Sequence, residues 1–143
     1  MHHIKEKIVL EKSHEPEEMY LKAIWLLDEA GARPVHASEV AQHLNISLPA
    51  LTEMLKKLER KGFLKYGGRD GVSLEPKGRA VAEKIVRNLR LTELLFRDVL
   101  KIDYEDESVC RFEHVITDEI AEAMRKLLKN PKQCPHGNPI PGI

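Results

Sequence analysis

Apolar positions in the first part of the chain recur at the helical interval. Met19, Ile24, Leu27 and Ala30, with Ala23 and Leu26 beside them, follow a 3.6-residue period from about Glu17, with Pro16 near the first turn and Gly31 closing the run. Arg33 to His36 reads as a short extended link. A two-turn helix over 38–44 follows, with Val40, Ala41 and Leu44 inward, and Asn45-Ile46-Ser47 turns the chain. The next helix, over 48–61, carries Leu48, Leu51, Met54, Leu55 and Leu58 on one side and Thr52, Glu53, Lys56, Lys57, Glu59 and Arg60 on the other. Then the period changes. Phe63-Leu64-Lys65-Tyr66 and Val72-Ser73-Leu74 are short β-type runs around Gly67-Gly68-Arg69-Asp70-Gly71, which predicts a hairpin. Helix-turn-helix followed directly by a hairpin is a winged-helix order, in which the second helix enters the DNA major groove and the hairpin reaches across the backbone.

From Glu75 the pattern is helical almost to the end. Glu75-Pro76-Lys77-Gly78 opens a long helix reaching about Leu100, with Ala80, Val81, Ile85, Leu89, Thr92, Leu95 and Phe96 expected inward. Acidic residues 103–107 start a second helix that carries Val109, Cys110, Glu113 and His114, their negative charge complementing its amino-terminal dipole. Thr117 caps a third, running to about Lys129 with Ile120, Ala121, Met124, Leu127 and Leu128 apolar. This half has more apolar faces than one copy can cover, which predicts a homodimer. The run from Cys134 to Ile143 is too rich in Pro and Gly for a regular element and reads as an extended or turning arm. The expected fold is mostly α: a winged helix-turn-helix DNA-binding domain over 1–76, then an all-helical dimerisation domain over 77–143.

Composition narrows the function. The chain has 143 residues, 32% charged and 42% hydrophobic, a globular balance. No apolar run approaches the ~20 residues of a membrane span, and the amino terminus lacks a secretory signal. A cytoplasmic location without a membrane partner is expected. Two distant cysteines, Cys110 and Cys134, do not make a disulfide framework. The net charge of zero is a cancellation: residues 33–79 carry nine Lys and Arg against five Asp and Glu. Lys56, Lys57, Arg60 and Arg69 in that segment are candidate phosphate contacts, each also explicable as a solvated face. Glu53 counts against DNA unless it accepts from a cytosine amino group.

The most informative chemistry is Cys110-Arg111-Phe112-Glu113-His114. A helix brings a thiol, a carboxylate and an imidazole at i, i+3 and i+4 to one face. Soft sulfur, borderline nitrogen and hard oxygen together suit Fe²⁺, Co²⁺, Ni²⁺ or Zn²⁺ better than Mg²⁺ or Ca²⁺. Three ligands on one helix rarely close a shell, so a fourth must come from elsewhere. The alternative is a buried cysteine beside a solvated polar edge.

Four motifs, in order and over nearly the whole chain, resemble the diphtheria-toxin-repressor family of metal-dependent bacterial transcriptional regulators. They are Glu18-Met19-Tyr20-Leu21, Leu74-Glu75-Pro76-Lys77-Gly78-Arg79, Cys110-Arg111-Phe112-Glu113-His114-Val115 and Gly137-Asn138-Pro139-Ile140-Pro141-Gly142. The resemblance implies a primary metal site of Met19, Cys110, Glu113 and His114, with the Cys110 carbonyl as a further ligand. It also implies groove-facing roles for Ser47, Pro49, Ala50 and Thr52, with Ser47 equally explicable as a helix cap. At the family's ancillary site this chain has Leu89, Glu93 and Asp106, so Glu93 and Asp106 alone could hold an ion there. Cys134 and His136 could also bind metal, although an unliganded arm is the expectation. Manganese-selective members carry carboxylates in place of both sulfurs. Fe²⁺ is therefore expected here, with Mn²⁺, Co²⁺, Ni²⁺ and Zn²⁺ as possible substitutes.

The function implied is a metal-activated homodimeric repressor of metal-homeostasis genes, bound to palindromic double-stranded operator DNA. It is not expected to be an enzyme and needs no small organic substrate. Two rivals remain: a metal-dependent hydrolase, in which Glu and His activate water, and a winged-helix scaffold for protein partners.

Overall fold

The computed structural model describes residues 15–104 and 106–141, with the side chains of residues 15, 106–108 and 110 outside the description. Helix α1 spans Glu15–Glu29, α2 Ala37–Leu44 and α3 Leu48–Arg60. Two short strands, β1 (Leu64–Tyr66) and β2 (Val72–Leu74), pair antiparallel with Leu64 opposite Leu74 and Tyr66 opposite Val72. Helix α4 runs over Pro76–Leu94 and widens into a π-helical turn, Leu95–Val99; α5 (Asp106–Glu113) and α6 (Asp118–Leu127) follow. The architecture is mostly helical with one two-stranded wing, as the periodicity predicts.

Local chemistry explains the elements. Asn45 adopts a left-handed conformation at the end of α2, with φ 56°, and its N–H returns to the helix carbonyls, so the chain turns at once into α3. Ser47 caps α3 by accepting from the Ala50 N–H at 3.3 Å, and Thr117 caps α6 by accepting from Ile120 at 3.2 Å. The expected link is extended: Val35 accepts from the Val72 N–H at 2.7 Å, which fastens it to β2. Gly78 lets α4 press against the wing, because a Cβ there would lie 2.0 Å from the Phe63 carbonyl oxygen. Any side chain would drive the two apart.

Two cores result, and α4 serves both. Leu21, Ile24, Val40, Leu51, Leu55, Leu58, Leu64, Val72 and Ala82 form the first. Leu91, Ile116, Ala121 and Met124 form the second, with Leu95, Leu128 and Ile140 packed on it. Sequence periodicity misjudges two details. Leu48, expected inward, is 45% exposed, because the first turn of α3 projects beyond the core. On α4, Ala80 is exposed and Leu89 half-buried, whereas Ala82, Val86, Leu91 and Leu94 are buried together with Arg87, Asn88, Arg90 and Glu93. This helix is covered on several sides, and its polar residues find partners on other elements.

Candidate metal centre and nucleic-acid interface

One face of α1 meets the end of α5. Glu18, Met19 and Lys22 lie at i, i+1 and i+4, so the turn presents them together. Opposite them are Glu113, fully buried, and His114, just past the last turn of α5. His114 Nε2 lies 3.4 Å from Met19 Sδ and 3.4 Å from Glu113 Oε1. Donor atoms around an ion bound at ~2.1–2.4 Å stand roughly 3.0–3.9 Å apart, so both separations from His114 Nε2 are those found within a ligand set. Thioether, imidazole and carboxylate fit a divalent transition metal. The Cys110 side chain lies outside the described residues.

Residues around this cluster orient it. His114 Nδ1 is 2.8 Å from Glu18 Oε1. An ionised carboxylate only accepts, so a proton on Nδ1 can be donated to Glu18, the kind of partner that metal-ligating histidines commonly have. Lys22 Nζ donates to Glu113 Oε1 at 2.6 Å. Behind α5, the buried Asn88 amide donates to the Glu113 and Ile116 carbonyls at 3.0 and 3.1 Å. One carbonyl freed by the end of α5, that of Glu113, and one in the link to α6, that of Ile116, are thereby satisfied, and the Glu113-His114 corner is fixed to α4. Arg87 adds a bond to Asp118 at 3.0 Å, tying α6 to the same helix. Glu18, Lys22 and Asn88 were not singled out as site residues in the sequence; their partners are 96, 91 and 25–28 positions away, beyond any local motif.

Glu93 sits elsewhere. It is close to the arm, with His136 Nδ1 3.4 Å from its Oε2 and the Tyr104 hydroxyl donating to the same oxygen at 3.4 Å. Glu93, Cys134 and His136 each offer a donor atom, all within 4.8 Å of one another, with His136 on the solvent side. The arm expected to be unliganded thus brings two potential ligands to Glu93. Asp106, the other ancillary candidate, has its side chain outside the described residues. Burial raises the Tyr104 phenol above its usual value, and the adjacent Glu93 charge adds to the effect.

The arm turns as its Pro and Gly content predicts. Cys134 N–H donates to Asn138 O at 2.8 Å, and Gly137 N–H to Cys134 O at 2.9 Å. Arg90, buried, donates to the Pro139 carbonyl at 2.6 Å and grips both Glu29 oxygens at 2.9 and 2.5 Å. It therefore joins the arm to the far end of α1.

The residues expected to face DNA lie on α3, its cap and the wing. Ser47, Pro49 and Ala50 are exposed at the start of α3, and Thr52 bonds back to the Pro49 carbonyl at 3.0 Å. Lys56, Lys57 and Arg60 continue along the exposed side of α3, and with Ala50, Glu53 and Met54 they line a shallow concavity. Arg69 is exposed in the 3₁₀ turn at the tip of the wing. Glu59 accepts from the Tyr66 N–H at 3.0 Å, which fastens the wing to α3. Among the described residues no helix is long and apolar enough to cross a membrane.

Comparison with known proteins gives this arrangement its relatives. The iron dependent repressor N-terminal DNA binding domain matches residues 14–72, and the iron dependent repressor metal binding and dimerisation domain matches residues 75–142. The chain is 38% identical over 128 residues to the iron-dependent repressor IdeR of Mycobacterium leprae, covering 88% of this chain and 55% of that protein. It is 35% identical to the diphtheria toxin repressor of Corynebacterium diphtheriae, covering 88% and 56%. The solved structure of the manganese regulator SloR superposes with a TM-score of 0.76 at 32% identity, over 88% of this chain and 59% of that one. The chain thus spans little more than half the length of these relatives. With both family domains matched in order over almost all of its residues, it belongs to the iron-dependent repressor family.

Proposed function

We propose that the chain is a metal-activated, homodimeric transcriptional repressor, with a DNA-binding domain over 1–76 and a metal-binding and dimerisation domain over 77–143. The observation that carries this reading is the meeting of Met19 on α1 with Glu113 and His114 at the end of α5, at ligand spacing. Met19, Glu113 and His114, with Cys110, hold the ion; the bound ion supplies coordinate bonds that join the two segments. Because α1 packs in the same core as α3, holding α1 to α5 sets the angle at which α3 is presented. In a dimer, two α3 helices then meet half-sites about one turn, ~34 Å, apart. Ser47, Pro49, Ala50 and Thr52 face the groove, while Lys56, Lys57, Arg60 and Arg69 meet phosphates.

Two of the four proposed primary ligands are sulfur, which favours Fe²⁺, with Co²⁺, Ni²⁺, Zn²⁺ or Mn²⁺ able to substitute. Relatives differ on this point: one is named for iron and another for manganese. Glu93, Cys134 and His136 form a second metal position, supported by their convergence. The hydrolase and scaffold rivals lack a comparable observation. The test is DNA binding under anaerobic conditions, with and without Fe²⁺ or Mn²⁺. Ion-dependent binding that weakens steeply with salt supports the repressor, and ion-independent binding overturns it.

A further inference from the structure

One acidic side chain stands among the cations of α3. Glu53 is exposed one turn beyond Pro49 and Ala50, at i+4 and i+3, and so continues the side of the helix that those residues open. It shares its concavity with Lys56, Lys57 and Arg60, yet among the described residues its carboxylate has no hydrogen-bond or ion-pair partner. Lys57, at i+4, is the partner a helix offers most readily, and the two remain apart. Three other carboxylates of this half are engaged. Glu59 accepts from the Tyr66 N–H at 3.0 Å, Glu39 accepts from the His36 N–H at 2.9 Å, and Glu17 pairs with Lys61 at 2.8 Å. A negative charge on a surface that meets a polyanion weakens binding unless a base returns a donor to it.

We propose that Glu53 is a specificity-determining residue: it accepts a hydrogen bond from the amino group of one cytosine in each half-site, so that this position reads C·G. The proposal rests on reading the chain as a repressor whose α3 enters the major groove, where the first turns of a recognition helix meet base edges. An ionised carboxylate only accepts. Guanine presents two acceptors, and thymine an acceptor and a methyl group, so neither satisfies it. The adenine amino group stands between two acceptors, its own N7 and the O4 of the paired thymine, and both repel a carboxylate. The cytosine amino group has a C–H on its outer side, which leaves it open to Glu53. Against any other pair the carboxylate would lose water and gain no donor, a cost that exceeds the net worth of the bond itself. Because Glu53 does not pair with them, Lys56, Lys57 and Arg60 are left for phosphates, and their attraction offsets the repulsion between Glu53 and the backbone.

The test selects DNA from a library of randomised duplexes with the full chain and saturating Fe²⁺ under anaerobic conditions, using chelator as the control. The parent, Glu53→Gln and Glu53→Ala are compared. The parent is expected to enrich C·G at one symmetric position in each half-site. Glu53→Gln should enrich A·T there, because a side-chain amide pairs with adenine N6 and N7. Glu53→Ala should lose the preference at that position and keep the others. In fluorescence anisotropy, changing that C·G pair to T·A should raise the parent's Kd at least about fivefold and leave that of Glu53→Ala within about twofold. On the changed duplex Glu53→Ala should bind more tightly than the parent, since the unpaired carboxylate is gone. The same enriched sequence in all three proteins, or a parent that prefers another base where Glu53→Gln alters the selection, overturns the proposal. Failure of the repressor reading looks different: the parent then enriches no sequence over the chelator control.

Discussion

At the scale of single residues, the centre depends on groups with distinct jobs. Replacing Glu113 or His114 by Ala should abolish ion-stimulated DNA binding while leaving the circular dichroism of the helices intact; stimulation that survives in either variant counts against ligation. Replacing Met19 and Cys110 together by carboxylates should move the preference toward Mn²⁺, read from competition between Fe²⁺ and Mn²⁺, because hard oxygen replaces soft sulfur. Asn88 has no ligand role. Its amide satisfies the carbonyls of Glu113 and Ile116 in the interior, so Asn88→Ala should cost about 2 kcal/mol or more in urea unfolding. A loss below about 0.5 kcal/mol would show that water replaces it readily.

At the scale of elements, α1, α2, α3 and the wing were legible because each buries one face and is bounded by its own punctuation, including Asn45, Ser47 and the glycine-rich turn. Helix α4 was legible in extent, but its inward face only in part, because Arg87, Asn88, Arg90 and Glu93 are buried on it and mask the period. Their partners lie on α1, α5, α6 and the arm, and no local pattern announces a contact across 25 to 61 positions. The candidate site was half legible. Cys110, Glu113 and His114 stand out by spacing, and Met19 entered through resemblance, whereas Lys22 and Glu18 required the fold. Helix α6 has a pH dependence of its own. Hydrogen bonds from Lys84 and then Arg87 hold the Asp118 carboxyl below its usual range. Its contribution is therefore complete above the ordinary carboxylate value and fades as pH falls through the depressed one. Asp118→Asn should flatten the acid limb of the stability profile; an unaltered limb would assign that limb to other carboxylates.

At the scale of the whole molecule, the apolar surface left on the helical half matters most. Val115 is 69% exposed and Leu127 59%, with Phe112 and Ile120 also uncovered. A single copy gains nothing by showing them to water, and a second copy can cover them. Val115→Glu with Leu127→Glu should shift sedimentation toward monomers and weaken binding to palindromic DNA; an unchanged dimer would place the interface elsewhere. Moving such a molecule from mostly incompetent to mostly competent, 1:99 to 99:1, takes ~5.5 kcal/mol of preferential ion binding. Structural zinc sites supply ~10–16 kcal/mol, so the demand is modest for a metal site. The most direct test is an anaerobic titration of DNA from upstream of the chain's own gene, following fluorescence anisotropy with saturating Fe²⁺ and with chelator. The expected result is a Kd at least about a hundredfold lower with the ion, as a shift of that size requires, and no such gain in His114→Ala. Equal affinity in ion and chelator would contradict the claim that ligands on α1 and α5 govern how this protein meets DNA.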